Sequence, residues 1–189
     1  HTLPVAYDIK RAMPEVKLHW LAEESFADVC KLSPFVDVVK RTAFRRWRKA
    51  VLSSKTWREI GAVRADLRAE QYDSVIDEQG LLRSAWAASW AGSEVFGYSR
   101  DTVRESFATF FYKKMKRLPE SIGTVRRYRK MAALCLGYSI DEEHPKFGLK
   151  APELPKNLPL PQNYAALFVS TSQERKNWPE ERWETLVRE

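Results

Sequence analysis

Ten consecutive residues, Lys40-Arg41-Thr42-Ala43-Phe44-Arg45-Arg46-Trp47-Arg48-Lys49, hold six cations and no carboxylate. Arginine forks suit phosphate and carboxylate oxygens, because each can donate two parallel hydrogen bonds. Trp47 offers an apolar plate beside them, suited to a sugar face, an acyl chain or a stacked base. A plain solvated basic loop is the competing reading. A second stretch, Asp77-Glu78-Gln79-Gly80-Leu81-Leu82-Arg83-Ser84-Ala85, follows an expected strand, where open α/β sheets place ligands. Asp77 and Gln79 can contact hydroxyls there, Gly80 permits close backbone approach, and Arg83 lies one turn into the next helix. Strand-to-helix turns also use Asp and Gly for geometry alone. A third stretch, Ser170-Thr171-Ser172 with Lys176, sets small hydroxyls and a lysine before an expected helix, which suits a diphosphate. Its plain alternative is a polar capping loop.

The elements that position these stretches alternate. Residues 4–13 are expected to be helical with Pro4 in the first turn and Pro14 closing it. Val16–Leu21 alternates as a strand, residues 23–32 form a short helix, and Phe35–Val39 is a second strand. A helix over 56–71 places Trp57, Ile60, Val63 and Leu67 on one face. A strand at 72–77, a helix after Gly80, a strand at 93–98, an irregular stretch over 99–120 and a helix over 122–136 follow, with Gly137 as its stop. The helical face expected there carries Ile122, Val125, Tyr128, Ala132 and Leu136. This rhythm implies a parallel sheet flanked by helices. Residues 1–138 are then one α/β domain, and the proline-punctuated residues 139–163 are an interdomain linker. Residues 164–189, with a strand at Tyr164–Ser170 and a helix begun by Pro179, open a second domain.

The chain has 189 residues, 44% hydrophobic and 30% charged, enough to bury a core. No apolar run approaches the ~20 residues that span a bilayer, and no secretory signal pattern opens the chain. Both ends look cut. The net charge of +7 favours anionic partners. Cys30 and Cys135 lack a CxxC partner and are expected to be reduced thiols. His1, His19 and His144 are too scattered for a metal site. Walker, GxGxxG, HExxH and DxD patterns are missing, and no histidine nominates a hydrolytic triad.

Taken in order, His1-Thr2-Leu3-Pro4, the run Ala43–Lys49, the stretch Asp77–Ala85 and Lys176-Asn177-Trp178-Pro179-Glu180-Glu181-Arg182-Trp183 resemble the lipopolysaccharide heptosyltransferases of Gram-negative bacteria, type I in particular. The resemblance covers nearly the whole chain. It implies a GT-B glycosyltransferase, here a Rossmann-like parallel-sheet N-terminal domain without its first strand, plus the start of a second Rossmann-like domain. It further implies inverting transfer of L-glycero-D-manno-heptose from ADP-heptose to the inner Kdo of Kdo2-lipid A, with no metal or other cofactor. The place would be the cytoplasmic face of the inner membrane, held peripherally. Carried across by position, Arg45, Arg46, Arg48 and Lys49 would grip acceptor carboxylates and phosphates. Gln79 and Arg83 would line the acceptor side, and Arg104, in Thr102-Val103-Arg104-Glu105-Ser106, would join them. Thr171, Ser172 and Lys176 would meet the donor diphosphate, with Lys176 stabilising the leaving group. The family's general-base Asp would lie upstream of His1 and a later donor motif beyond Glu189, so the chain as written is not expected to turn over substrate. The rival is a basic module that binds nucleic acid or anionic lipid without catalysis, although no nucleic-acid reading motif is visible.

Overall fold

A computed structural model describes residues 1–152, 161, 163–169 and 174–188. The chain divides into two compact units, His1–Pro152 and Glu153–Glu189.

In the first unit, helix α1 (Pro4–Ala12) starts on proline, whose missing N–H costs nothing in a first turn. It leads to parallel strands β1 (His19–Glu23) and β2 (Val38–Thr42), which pair in register from His19 opposite Val38 to Glu23 opposite Thr42. A 3₁₀ turn (Glu24–Phe26) and the single-turn helix α2 (Ala27–Cys30) connect them. Both strands sit two to three residues later than alternation suggests. The Asp37 carboxylate accepts from the Leu18 N–H at 2.6 Å and pairs with Lys10 at 2.7 Å, while Lys10 also donates to the Val16 carbonyl at 2.6 Å. These side-chain bonds hold residues 16–18 as a connection and postpone the ladder.

Because β2 ends at Thr42, the basic run is part strand and part the one-turn helix α3 (Phe44–Trp47), not a loop. Helix α4 (Ser54–Ala69) follows. Its inward stripe is Thr56, Ile60, Val63 and Leu67, at the i, i+4, i+7, i+11 spacing of a helix face, with Val63 only partly buried. Trp57, expected on that stripe, is 56% exposed.

A second parallel sheet contains β3 (Val75–Ile76), β4 (Val95–Tyr98) and β5 (Lys114–Lys116) in the order β3-β4-β5. Helix α5 (Leu82–Ser89) joins the first pair, and a 3₁₀ stretch (Ser106–Phe111) joins the second. Helix α6 (Thr124–Leu136) closes the unit and stops at Gly137, whose left-handed φ of +77° suits glycine. All strand pairs are parallel, as the alternation implied.

Four apolar clusters fill the unit. One holds Trp47, Trp90, Ile60 and Leu67, another Ala85, Val95 and Tyr112. A third holds Phe96, Tyr98 and Met131, and the fourth sets Val5 and Ile9 of α1 against Ala132 of α6. That last helix pair is also joined by a buried ion pair: Arg129 donates from Nε to Asp8 at 2.6 Å and from Nη2 at 3.1 Å. Besides the stripe expected on α6, Arg127 and Arg129 are both buried, Arg129 toward α1 and Arg127 against Tyr98.

In the second unit, residues 164–169 form no strand, which corrects the expectation at Tyr164–Ser170. A strand exists only as a ladder, and no described residue pairs with this segment. Helix α7 (Glu180–Arg188) does follow Pro179, with Glu180 and Glu181 in its first turn, and Trp178 packs edge-on against Trp183.

Candidate functional site

The site residues of the first unit gather just past the carboxyl ends of parallel strands. At the end of β1, the Glu23 carboxylate accepts from the backbone N–H groups of Phe44 at 3.0 Å and Arg45 at 2.9 Å. It thereby satisfies two donors that a short helix leaves orphaned. Phe44 and Trp47, three apart, turn inward on α3. Their rings meet edge-on at 5.3 Å, and Phe44 also packs near Trp86 of α5 and Trp90 at its C-terminal end. Trp47 is 4% exposed and donates its indole N–H to Glu59 at 2.8 Å. Trp47 is therefore a core anchor rather than a plate for ligand, because its apolar faces are already covered.

Anchoring that face sends Arg45, Arg46, Arg48 and Lys49 outward, but they are not equivalent. Arg46 is held by two carboxylates, with Glu24 accepting from Nε at 3.1 Å and from Nη2 at 3.2 Å, and Glu59 from Nη1 at 2.6 Å. The Trp47 and Arg46 hydrogen bonds keep Glu59 below the usual carboxylate range. Lys40 is likewise taken, by Asp66 at 2.8 Å and Glu70 at 2.7 Å, and Arg41 pairs with Asp28 at 3.4 Å. Arg45 stacks over Phe26 at 4.8 Å. Among the described residues, Arg48 and Lys49 form no ion pair and are exposed. A run without a carboxylate in sequence is thus half neutralised in space, by Glu24, Glu59, Asp66, Glu70 and Asp28.

At the end of β3, Asp77 is buried and saturated. It accepts from the N–H groups of Gln79 at 2.9 Å and Gly80 at 3.4 Å, from Ser84 at 2.9 Å and from Tyr112 at 2.6 Å. Burial raises its carboxyl above the usual range, against the pull of these donors. Asp77 therefore organises the turn and cannot reach a hydroxyl of a ligand. Gly80 has φ +66°, and a Cβ there would press on Val103 at 3.1 Å and Tyr98 at 3.3 Å. This close approach lets the Glu105 N–H bond the Gly80 carbonyl at 3.0 Å, while the Glu105 carboxylate caps Leu82 at 2.6 Å.

The 77–83 turn and the 99–105 loop are thereby locked together, which brings Gln79, Arg83 and Arg104 to one edge. Gln79 and Arg83 are exposed. Arg83 lies one turn before Trp86, whose ring packs near Phe44 of α3. Arg104 sits 3.9 Å from Glu120 and lines a cavity of about 540 Å³ with Asp101, Thr102, Val103, Arg117 and Pro119.

The support beneath this edge is not legible in the sequence. Arg127 is buried, stacks 4.0 Å over the Tyr98 ring, and donates to the carbonyls of Leu118 (3.0 Å) and Thr102. Part of Glu78 reaches the surface, but its Oε1 is sealed from water without a partner, and Oε2 accepts only from Tyr98 at 3.2 Å. Desolvation pushes this carboxyl well above the usual range, and Asp77 beside it adds to the effect. Arg127 and Arg129, two residues apart in a helical stretch, look like solvated charge, so no sequence signal marks them.

Lys176 ends an exposed 3₁₀ turn (Glu174–Lys176) in the second unit. Ser170, Thr171 and Ser172 lie outside the described residues. Among the described residues, no group of three or more His, Cys, Asp or Glu side chains could hold a metal ion, and no helix is long and apolar enough to cross a membrane.

The profile of glycosyltransferase family 9 (heptosyltransferase) matches residues 60–189. Lipopolysaccharide heptosyltransferase 1 of Escherichia coli K12 is 36% identical over 189 residues, covering 99% of this chain and 59% of that protein. The Pseudomonas aeruginosa protein of the same name is 35% identical over 191 residues, covering 99% of this chain and 53% of its own length. The chain thus spans a little over half the length of these relatives. Among solved structures, E. coli heptosyltransferase WaaC with ADP superposes with a TM-score of 0.86 at 34% identity, over 99% of this chain and 59% of that one. The same enzyme with ADP-2-deoxy-2-fluoro heptose gives 0.87 at 35% identity, over 99% and 60%. The parallel α/β fold expected from the sequence is the fold of those GT-B structures.

Proposed function

The chain belongs to glycosyltransferase family 9, the heptosyltransferases, and on that premise we propose that its first unit is the acceptor-holding part of an enzyme of lipopolysaccharide inner-core synthesis. The reaction is transfer of L-glycero-D-manno-heptose from ADP-heptose to the inner Kdo of Kdo2-lipid A, inverting the anomeric centre and using no metal. The acceptor is anionic and membrane-borne, which places the enzyme peripherally at the cytoplasmic face of the inner membrane.

The observation that carries this reading is the pair Arg48 and Lys49, exposed and without an ion pair among the described residues, in the turn that follows a helix pinned by Trp47. Their hydrogen-bond donors are free for carboxylate or phosphate oxygens, and the anchored Trp47 keeps their position fixed. Arg45 joins them once it leaves Phe26. Gln79, Arg83 and Arg104 supply further donors from the neighbouring strand ends. Arg46 contributes indirectly, by locking α3 to Glu24 and Glu59. On the donor side, Thr171, Ser172 and Lys176 meet the diphosphate, and Lys176 offsets the charge that develops as ADP departs.

In such a displacement a general base takes the proton of the acceptor hydroxyl as its oxygen attacks the anomeric carbon from the face opposite ADP. Asp77 is not that base, since all its acceptor positions are occupied. Glu78 is not either, with its carboxyl sealed beside Tyr98. We therefore expect these 189 residues alone to bind the acceptor without releasing ADP from ADP-heptose.

The test is titration of the chain with detergent-dispersed Kdo2-lipid A. Arg48→Glu with Lys49→Glu should weaken binding by about tenfold or more, given about 1.5–3 kcal/mol per hydrogen bond to a charged group. Unchanged binding, or tighter binding of single-stranded DNA than of the glycolipid at physiological salt, would sink the proposal.

A further inference from the structure

The link between α3 and α4, together with the first turn of α4, exposes an apolar ridge that the proposed reaction does not use. Leu52 is 97% exposed, Val51 53% and Trp57 56%. The Trp57 indole N–H donates to the Val51 carbonyl at 2.8 Å, so the ring is held beside Val51 with its one polar group already satisfied. What the indole presents to solvent is apolar surface. A single exposed leucine is ordinary. Three neighbouring apolar side chains at a tip, one of them a fixed tryptophan, are a patch that needs a partner.

The charge around this ridge has one sign. Between residues 40 and 58 the chain carries eight cations and no carboxylate. Lys40, Arg41 and Arg46 are neutralised from elsewhere. Arg48, Lys49, Lys55 and Arg58, which flank the ridge, are exposed and form no ion pair among the described residues. Lys55 is felt by Glu59 at a distance, but Glu59 is committed to Arg46 and Trp47.

Apolar side chains at a tip with cations around them match one partner chemistry, the interface of a bilayer with anionic headgroups. Leucine and valine enter the acyl boundary, tryptophan sits at headgroup level, and Lys and Arg side chains reach the phosphates while their stems stay apolar. A nucleic acid would meet the cations but leave Leu52 and Val51 in water. We infer that Val51, Leu52 and Trp57 form a membrane-insertion ridge, by which this protein docks on an anionic lipid surface with Lys55 and Arg58 against the headgroups. This deepens the reading of a membrane-borne acceptor and rests on it, since the ridge begins two residues after the acceptor donors Arg48 and Lys49.

The test uses no acceptor. The 189-residue chain is sedimented with vesicles of phosphatidylglycerol and phosphatidylcholine at roughly one to two. Wild type should partition onto these and far less onto pure phosphatidylcholine. Val51→Ser with Leu52→Ser should reduce partitioning by about tenfold or more, with an unchanged melting temperature because neither side chain is packed. Lys55→Glu with Arg58→Glu should reduce it as well and flatten its salt dependence. Partitioning of V51S/L52S equal to wild type overturns the insertion, even if the charge variant fails to bind, since docking would then be purely electrostatic. Wild type that ignores the vesicles, or does not distinguish the two compositions, also overturns it. Vesicle binding that survives while Kdo2-lipid A binding is missing would instead sink the proposed function and leave this inference standing.

Discussion

Removing Asp8 isolates one consequence of the architecture. Asp8 on α1 and Arg129 on α6 are 121 residues apart and form a two-point ion pair at 2.6 and 3.1 Å. Their side chains are 8% and 2% exposed, and Arg129 Nη1 is already buried without a partner. Asp8→Ala leaves a guanidinium in an apolar setting with two further donors unsatisfied and no route to water. Breaking one side of a buried pair costs about 3–5 kcal/mol. At about 2–4 °C per kcal/mol for a chain of this size, the melting temperature should fall by about 6–20 °C. The control is Asp8→Leu with Arg129→Met, which replaces the pair by apolar volume. Well-packed replacements of that kind are often neutral or stabilising, so the double variant should recover most of the loss. Urea denaturation of wild type, both single variants and the double variant closes the cycle, with a coupling of at least about 2 kcal/mol expected. A cost below about 1 kcal/mol for Asp8→Ala, or single-variant costs that simply add, would refute the claim that this pair joins α1 to α6.

Further predictions concern the site and its support. Trp47→Ala should cost about 3–5 kcal/mol in urea denaturation, as a core deletion does, whereas a ligand plate would leave stability unchanged. Arg46→Gln should lower the melting temperature yet leave Kdo2-lipid A binding within about threefold, while Arg48→Glu weakens binding by about tenfold or more; equal losses of binding would contradict the division between a bound and a free arginine. Gly97→Ala should cost about 1–3 kcal/mol, because a Cβ there collides with the Tyr112 ring that holds Asp77, and its denaturation midpoint measures this. Glu78 has a folded-state carboxyl raised well above its unfolded value of about 4.3. Its contribution is therefore fully present below that value and is lost as pH rises toward the folded pKa. Glu78→Gln should melt higher than wild type at pH 8 and show a flatter pH profile, and identical profiles would exclude a buried, uncompensated Glu78.

Local pattern alone determined much of this protein. Prolines and glycines at Pro4, Gly80 and Gly137 punctuate the elements where φ requires it, and the alternation of short strands with helices specified a parallel α/β layer. The ordered short stretches located the family, and density of arginine located the basic run. Charge is different, because a cation's availability depends on carboxylates that arrive from other elements. Residues 40–49 look uniformly free in sequence, yet folding brings Glu24, Glu59, Asp66, Glu70 and Asp28 to Arg46, Lys40 and Arg41, leaving Arg45, Arg48 and Lys49 without an ion pair among the described residues. The same holds for Trp47 and Asp77, whose types invite contact with a ligand but whose burial makes them anchors. A strand at 164–169 could not follow from its apolar residues, since a ladder needs a second strand beside it. Spacing along the chain decides which side chains share a face, but only the tertiary structure decides which of them are already satisfied and which remain exposed to meet a partner.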